Sequence, residues 1–248
     1  MDIGDMVGDA IKYPSQDWKK FAIFVVIVLI YVLIGRVGLI GALIGLIISF
    51  LIYGYILRAI KASLAGADEL PEFDEIAGMI IDGIKVLIVG LIYAIPAIII
   101  IILSAASFIA AIYGGAYTGA LSTGGLGLLG GLALIGIIVA LLYMLLIGGP
   151  LSILAIANMA YYDGEFGAAF RFSEIKDHIS RIGLADFIIW YIVMIISGIV
   201  AGILGAITLI GWIITVPYFY LYFARSVALL VTSTGMDIPE AEAVSPGK

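Results

Sequence analysis

The 248-residue chain is 64% hydrophobic and 12% charged, with a mean hydropathy of +1.25, whereas an ordinary soluble domain is about 45–50% apolar and roughly 25% charged. That composition excludes a soluble globular fold, and the absence of cysteine excludes disulfides, thiolate metal centres, a cysteine nucleophile and lipidation on cysteine. The net charge of -6 comes from 12 basic and 18 acidic residues mixed in the same short segments, which gives nucleic acid no basic patch to bind.

Residues 1–17 read as an N-terminal interfacial helix. The first apolar run, Trp18 to Ile34, follows Lys19 and Lys20, but no small-residue cleavage site comes after it and four Asp precede it, so it reads as a retained span. Five further runs follow: Gly38 to Ile60, Ile84 to Ala111, Leu126 to Met159, Leu184 to Leu204 and Ile207 to Val231. Each reaches the ~17 residues at which a helix can span a bilayer, and the longer ones cross a ~30 Å hydrocarbon layer with tilt. Helices are expected because backbone groups in lipid must be satisfied within the segment, and the alternation of a membrane barrel is absent. Residues 18–232 are therefore expected to form one six-span membrane domain, and 233–248 a disordered cytoplasmic tail.

Basic residues set the expected orientation. With the N-terminus in the cytoplasm, only Arg36 of the 12 Lys and Arg falls outside, and all 18 acidic residues fall inside. Both termini are then cytoplasmic, the expected location is the cell membrane, and the polar segments 62–83 and 160–183 lie on the inner face with any partner surface. The outer face is reduced to the Gly35-Arg36-Val37-Gly38 turn, a loop from Gly114 to Gly125 and a short connection near Gly205.

A kink or break is expected at Pro96 in the third span and at Gly148-Gly149-Pro150 in the fourth, because proline removes a backbone donor and clashes with the preceding turn. A re-entrant piece after Gly149 is an alternative to a continuous fourth span.

The chain also echoes itself. Met6-Val7-Gly8-Asp9-Ala10-Ile11-Lys12 returns as Met79-Ile80-Ile81-Asp82-Gly83-Ile84-Lys85 and more faintly as Glu174-Ile175-Lys176-Asp177-His178-Ile179-Ser180; Ala67 to Phe73 is echoed by Tyr162 to Phe166. The fold class expected is thus all-α: three parallel-repeat helical hairpins, each preceded by a cytoplasmic amphipathic helix in the headgroup layer. Phe73 to Ile84 is the second such helix, with Asp74 as its N-cap. Tyr13, Trp18, Phe166 and Phe170 are expected as interfacial anchors.

Ile11-Lys12-Tyr13-Pro14 with Asp17-Trp18-Lys19-Lys20, then Gly54-Tyr55-Ile56-Leu57-Arg58, then Gly66-Ala67-Asp68-Glu69-Leu70-Pro71-Glu72-Phe73-Asp74 resemble the archaeal DUF4013 membrane proteins, a family common in methanogens and without an assigned function. The likeness runs over nearly the whole chain. It implies six spans in an archaeal cell membrane and no particular chemistry.

A search for chemistry finds few candidates. Asp186 and Arg225, on neighbouring antiparallel spans at similar depth, are expected to form an ion pair near the inner interface. The acidic turn Asp68, Glu69, Glu72, Asp74, Glu75 lacks the register of a calcium loop and reads as a solvated cap. His178, the only histidine, reads as a surface residue. The run Gly124 to Gly131 lacks the Lys-Ser/Thr of a phosphate loop. Glycine pairs Gly41/Gly45, Gly127/Gly131 and Gly198/Gly202 are expected at helix-packing faces.

The expectation is a non-catalytic scaffold, accessory or lipid-organising component whose partners are membrane lipids and a cytoplasmic or membrane protein, with no cofactor, metal or nucleic acid. The alternative is a channel or carrier for lipid or an uncharged small molecule, its path opened at Pro96 and Pro150 near Tyr93 and Tyr143. An enzyme acting on lipid headgroups requires His178 and the acidic turn to converge.

Overall fold

The computed structural model describes residues 2–118, 123–207 and 211–233, which form helices and, among the described residues, no strand. In chain order the helices are α1 (Ile3–Lys12), α2 (Trp18–Ile34), α3 (Gly38–Leu64), α4 (Ile76–Thr118), α5 (Thr123–Tyr143), α6 (Gly149–Tyr161), α7 (Phe172–Ile182), α8 (Leu184–Ile207) and α9 (Gly211–Thr232). The tail beyond Ser233, residues 119–122 and the connection after Ile207 lie outside the described residues; the rest of the expected loop from Gly114 to Gly125 is helical, belonging to the end of α4 and the start of α5.

Five segments are long and apolar enough to cross a membrane: Gly38–Leu64, Ile76–Ala110, Gly130–Tyr161, Leu184–Ile207 and Gly211–Thr232. Their surfaces are unlike those of a soluble protein, with Ile99, Leu134 and Ile203 each at least half exposed, so acyl chains are their natural solvent. The sixth expected span, α2, has 17 residues and rises about 25 Å, less than a ~30 Å hydrocarbon core.

The chain forms two compact units, one drawn from Met1–Leu87 with Leu154–Lys248 and the other from Ile88–Ile153. In the first, α9 is the central element, packed against α1, α2, α3, α7 and α8. It is the least apolar of the five membrane-length helices and the most enclosed by protein, which is where a helix carrying Arg225, Ser226 and several tyrosines escapes lipid. α1 lays Met6 and Ala10 into the core on this helix.

α3 and α4 approach at main-chain contact. A Cβ on Gly54 would run into the Met79 carbonyl, and one on Gly83 into the Phe50 carbonyl. These contacts explain a departure from the expected second amphipathic helix. Residues from Ile76 onward do not form a separate interfacial element but open α4 itself, because Gly83 packs rather than breaks and Asp82 is neutralised by Lys61 at 3.4 Å and Lys85 at 3.1 Å. Asp74 is likewise not the N-cap: Met79 N–H donates to the Glu75 carbonyl at 3.1 Å, and Asp74 is taken by Arg58.

In the second unit α4 runs through Pro96 without a break. The fourth span is also continuous: a π-helical segment, Met144–Gly148, joins α5 to α6, and Gly149 N–H reaches the Met144 carbonyl five residues back. The wider turn accommodates Pro150, which has no N–H to continue the ordinary ladder. Proline is thus absorbed by a change of helix type, and the re-entrant alternative drops out. Tyr143 donates its hydroxyl proton to the Tyr93 carbonyl at 3.1 Å, and Gly148 admits the Tyr143 ring beside it.

Candidate functional site

The polar residues of the first unit gather where two loops fold back over helix ends. α3 ends in a Schellman cap: Gly66 adopts φ +79, its N–H meets the Ser63 carbonyl at 3.1 Å, and Ala67 N–H meets the Ala62 carbonyl at 2.9 Å. α6 ends the same way, with Asp163 at φ +50, its N–H on the Ala160 carbonyl at 3.2 Å and Gly164 N–H on the Met159 carbonyl at 2.8 Å. Asp tolerates this left-handed position better than most non-glycine residues.

The loop after α3 is held from beneath by donors on the helices. Leu70 is its apolar plug, fully buried, and Phe73 stacks on Tyr55 with ring centroids 4.0 Å apart. Lys20 donates to the Leu70 carbonyl at 2.8 Å and pairs with Glu72 at 2.9 Å and Asp17 at 3.4 Å. Tyr55 donates to the Pro71 carbonyl at 3.1 Å. Arg58 donates to the Asp74 carbonyl at 2.8 Å and pairs with its carboxylate at 2.7 Å, while reaching the Glu75 carbonyl at 3.3 Å. These bonds hold Glu75 at φ +44, a conformation that is uncommon for a residue with a side chain.

Arg225 is the most enclosed cation of this set, at 6% exposure. Its Nε meets Asp9 at 2.8 Å, one terminal nitrogen meets Asp68 at 2.8 Å, and the other meets the Ala67 carbonyl at 2.8 Å. Tyr13 offers its ring face 5.3 Å away. One guanidinium therefore ties α1, the first loop and α9. The expected partner Asp186 is not there: it lies exposed in the first turn of α8. Position along neighbouring helices suggests that pair, but Arg225 is directed toward α1 and the loop by its bonds to Asp9, Asp68 and Ala67. Tyr13 is correspondingly no interfacial anchor; it is 2% exposed, and burial pushes its phenol pKa up despite Ser63, Arg225 and Lys20. Trp18, by contrast, is 63% exposed.

The second loop repeats the arrangement with other residues. Lys85 donates to the Gly164 carbonyl at 3.0 Å, Lys61 pairs with Asp163 at 3.3 Å, and Arg171 pairs with Glu165 at 2.7 Å while lying 4.3 Å over the Tyr162 ring.

Beneath this loop lies a polar chain that hydropathy did not reveal. Asn158, 1% exposed on α6, donates through Nδ2 to the Ala168 carbonyl at 2.8 Å and to Glu174 at 3.0 Å. With both amide protons committed to acceptors, Oδ1 is fixed toward His178 Nε2 at 2.9 Å, so His178 must be the donor there. Its Nδ1 is then a bare lone pair, buried and without a donor among the described residues. His178 is 3% exposed rather than a surface residue. Burial lowers its pKa, Arg181 adds to that, and Glu174 and Asp177 oppose it.

The acidic turn of residues 68–75 is thus engaged with Lys20, Arg58 and Arg225, while His178 joins Asn158 and Glu174. Among the described residues no group of three His, Asp or Glu side chains stands close enough to hold a metal ion. The glycine pairs divide. Gly41 meets the Ile34 carbonyl and Val37 at the α2–α3 turn, and Gly198 meets the Phe219 ring at 3.2 Å and Gly202 that of Trp212 at 3.9 Å. Gly131 has open space around it, and the surroundings of Gly127 lie outside the described residues.

Apolar membrane-length helices with loops clamped by buried and half-buried cations define, among the described residues, an all-helical protein of membrane type. The chain matches the family described as Protein of unknown function (DUF4013) over residues 37–210, well over half its length, and belongs to that family. No curated protein and no solved structure matches it. The Gly54 to Arg58 and Gly66 to Asp74 motifs fall within the matched region, and there they are the residues that build the clamp on the first loop.

Proposed function

We propose that this protein is a non-catalytic component of the cell membrane, a scaffold or accessory subunit that organises lipid or a protein partner, with α2 as a sixth, short span and both termini cytoplasmic. The observation that carries this reading is the Arg225 node. Each of its three nitrogens is bonded, to Asp9, Asp68 and Ala67, so the most enclosed cation in the clamp spends three of its five N–H donors on holding α1, the loop and α9 together. The orientation is supported by the basic side chains Lys20, Arg58, Lys61, Lys85, Arg171 and Arg225, which gather at the two loops, while Arg36 sits at the far end of α2. A short α2 is compatible with crossing if the bilayer thins or flanking residues snorkel.

The channel or carrier alternative has less support, because the Tyr143 side chain reaches across to the Tyr93 carbonyl between the two prolines that were to open a path. The deciding experiment is purification in native membrane discs with identification of co-purifying lipids and proteins. A lipid or protein retained in fixed stoichiometry is expected. Solute or lipid flux in proteoliposomes that depends on the protein and stops in Tyr143→Trp would overturn the reading.

A further inference from the structure

We propose that the end of the molecule opposite the Arg225 node holds a single anionic lipid, its phosphate on Arg36 and one chain in the groove between α2 and α3. The inference deepens the lipid-organising reading above by naming the ligand class and the site.

The groove opens at the α2–α3 turn and encloses about 490 Å³, with Arg36 and Gly35 at its mouth and Val32, Leu46 and Gly45 along its walls. It shares Tyr31, Val32 and Ser49 with a deeper pocket of about 90 Å³ between α2, α3 and α9. The two adjoin at these residues, the larger one opening beside a guanidinium.

Charge selects the occupant. Every ion pair found among the described residues involves another basic side chain, so Arg36 stands exposed at the mouth with no carboxylate paired to it. A guanidinium binds phosphate through two parallel donors, a geometry suited to a lipid phosphodiester. Behind it Val32, Ala42 and Leu46 give an apolar strip, with Tyr31 and Ser49 as the hydroxyls beside it, which suits a lipid chain below a polar headgroup better than a free anion. Tyr31 lines both pockets and lies about 7 Å deeper than Arg36 along the helix, the depth of a lipid's linkage oxygens. Tyr53 and Tyr220 add hydroxyls in the inner pocket, and a chain lying there shields this end from competing water.

The test is native mass spectrometry of the full chain, delipidated in non-ionic detergent and titrated with phosphatidylglycerol or phosphatidylcholine. Wild type is expected to retain one phosphatidylglycerol in preference to phosphatidylcholine by about tenfold. Arg36→Gln should lose the preference, Arg36→Lys, which keeps the charge but not the paired donors, should keep only part of it, and Val32→Trp, which fills the groove, should weaken both lipids. Inorganic phosphate should not displace the lipid, because it lacks the chain. Helical circular dichroism and thermal unfolding in detergent identify any variant that fails to fold, and the wild-type lipid preference is read without a variant. Equal retention of the two lipids by wild type, an undiminished preference in folded Arg36→Gln, or displacement by phosphate overturns the proposal. The scaffold reading fails differently: a stoichiometric protein partner with no Arg36-dependent lipid refutes this site alone, whereas protein-dependent flux refutes the scaffold and leaves the lipid preference standing.

Discussion

The only histidine of the chain is bonded to its only asparagine: His178 Nε2 and Asn158 Oδ1 lie 2.9 Å apart, both side chains fully enclosed. Asn158 also serves the Ala168 carbonyl and Glu174, so it fastens α6, the short 3-10 turn before α7 and α7 itself. Asn158→Ala leaves a buried imidazole donor and a buried carbonyl unpaired, and should cost about 2–4 kcal/mol. Asn158→Asp places an acceptor where two acceptors already point and should not rescue it. Equilibrium unfolding in mild detergent, with hydrogen exchange across residues 172–182, measures both; unchanged exchange in Asn158→Ala would remove this chain from the account of how α7 is held.

Because there is a single histidine, its protonation is directly readable. The bonding of Asn158 requires the neutral tautomer with the proton on Nε2, and nitrogen chemical shifts from histidine-labelled protein at mildly alkaline pH should show that form. Burial makes the folded protein bind the second proton less tightly than the unfolded chain does. The native state therefore holds fewer protons, and its full stability is present above the ordinary histidine value of 6.5 and is lost progressively as pH falls below it. The neighbouring charges are Glu174 and Asp177, which favour the proton, and Arg181, which opposes it. His178→Gln should flatten this acid limb of the stability profile. A limb that survives the substitution assigns it to carboxylates instead.

Arg225 and Asp186 make a controlled pair of variants. Arg225→Met strands the Ala67 carbonyl and releases Asp9 and Asp68, which are themselves 41% and 77% exposed and so regain water easily. The expected loss is about 2–4 kcal/mol, below the most severe cases of a broken buried pair. Asp186→Asn touches none of these contacts and should stay within ~0.5 kcal/mol of wild type. Comparable losses in the two would restore the pairing that depth alone suggested.

The limits of the sequence have physical causes here. Apolar runs longer than a bilayer needs announce the five long helices, since few other structures tolerate them. Arg225 stands out because it sits near the end of such a run. Its partners do not, because Asp9 and Asp68 are 216 and 157 residues away along the chain, and each residue turns a helix by about 100°. The burial of His178 is legible in its spacing: Ile175, His178 and Ile182 recur at helical intervals and all three are buried, so the histidine belongs to the apolar face of α7. Pro150 correctly marked a departure from regular helix, yet composition does not distinguish a π segment from a break, because the outcome depends on whether neighbours such as Tyr143 fill the widened turn.

Glycine spacing misled in the same way, and the correction is testable. Gly54 and Gly83 belong to no small-residue repeat, but each admits a main-chain carbonyl of the facing helix, Met79 for the one and Phe50 for the other. A backbone carbonyl cannot swing aside as a flexible side chain does, so Gly54→Ala and Gly83→Ala must push α3 and α4 apart. Each should cost upwards of about 2 kcal/mol, at the heavier end of overpacking effects. The two sites share one helix contact, so the double variant should lose less than the sum of the single losses. Gly131, drawn from a Gly-x-x-x-Gly pair, has nothing within 4 Å of an added Cβ. Gly131→Ala should therefore be neutral or raise stability by up to ~1 kcal/mol through helix propensity. Thermal unfolding of the three single variants in the same detergent gives the comparison, and a Gly131→Ala protein weakened as much as Gly54→Ala would mean that Gly131 is covered by a second copy or a partner.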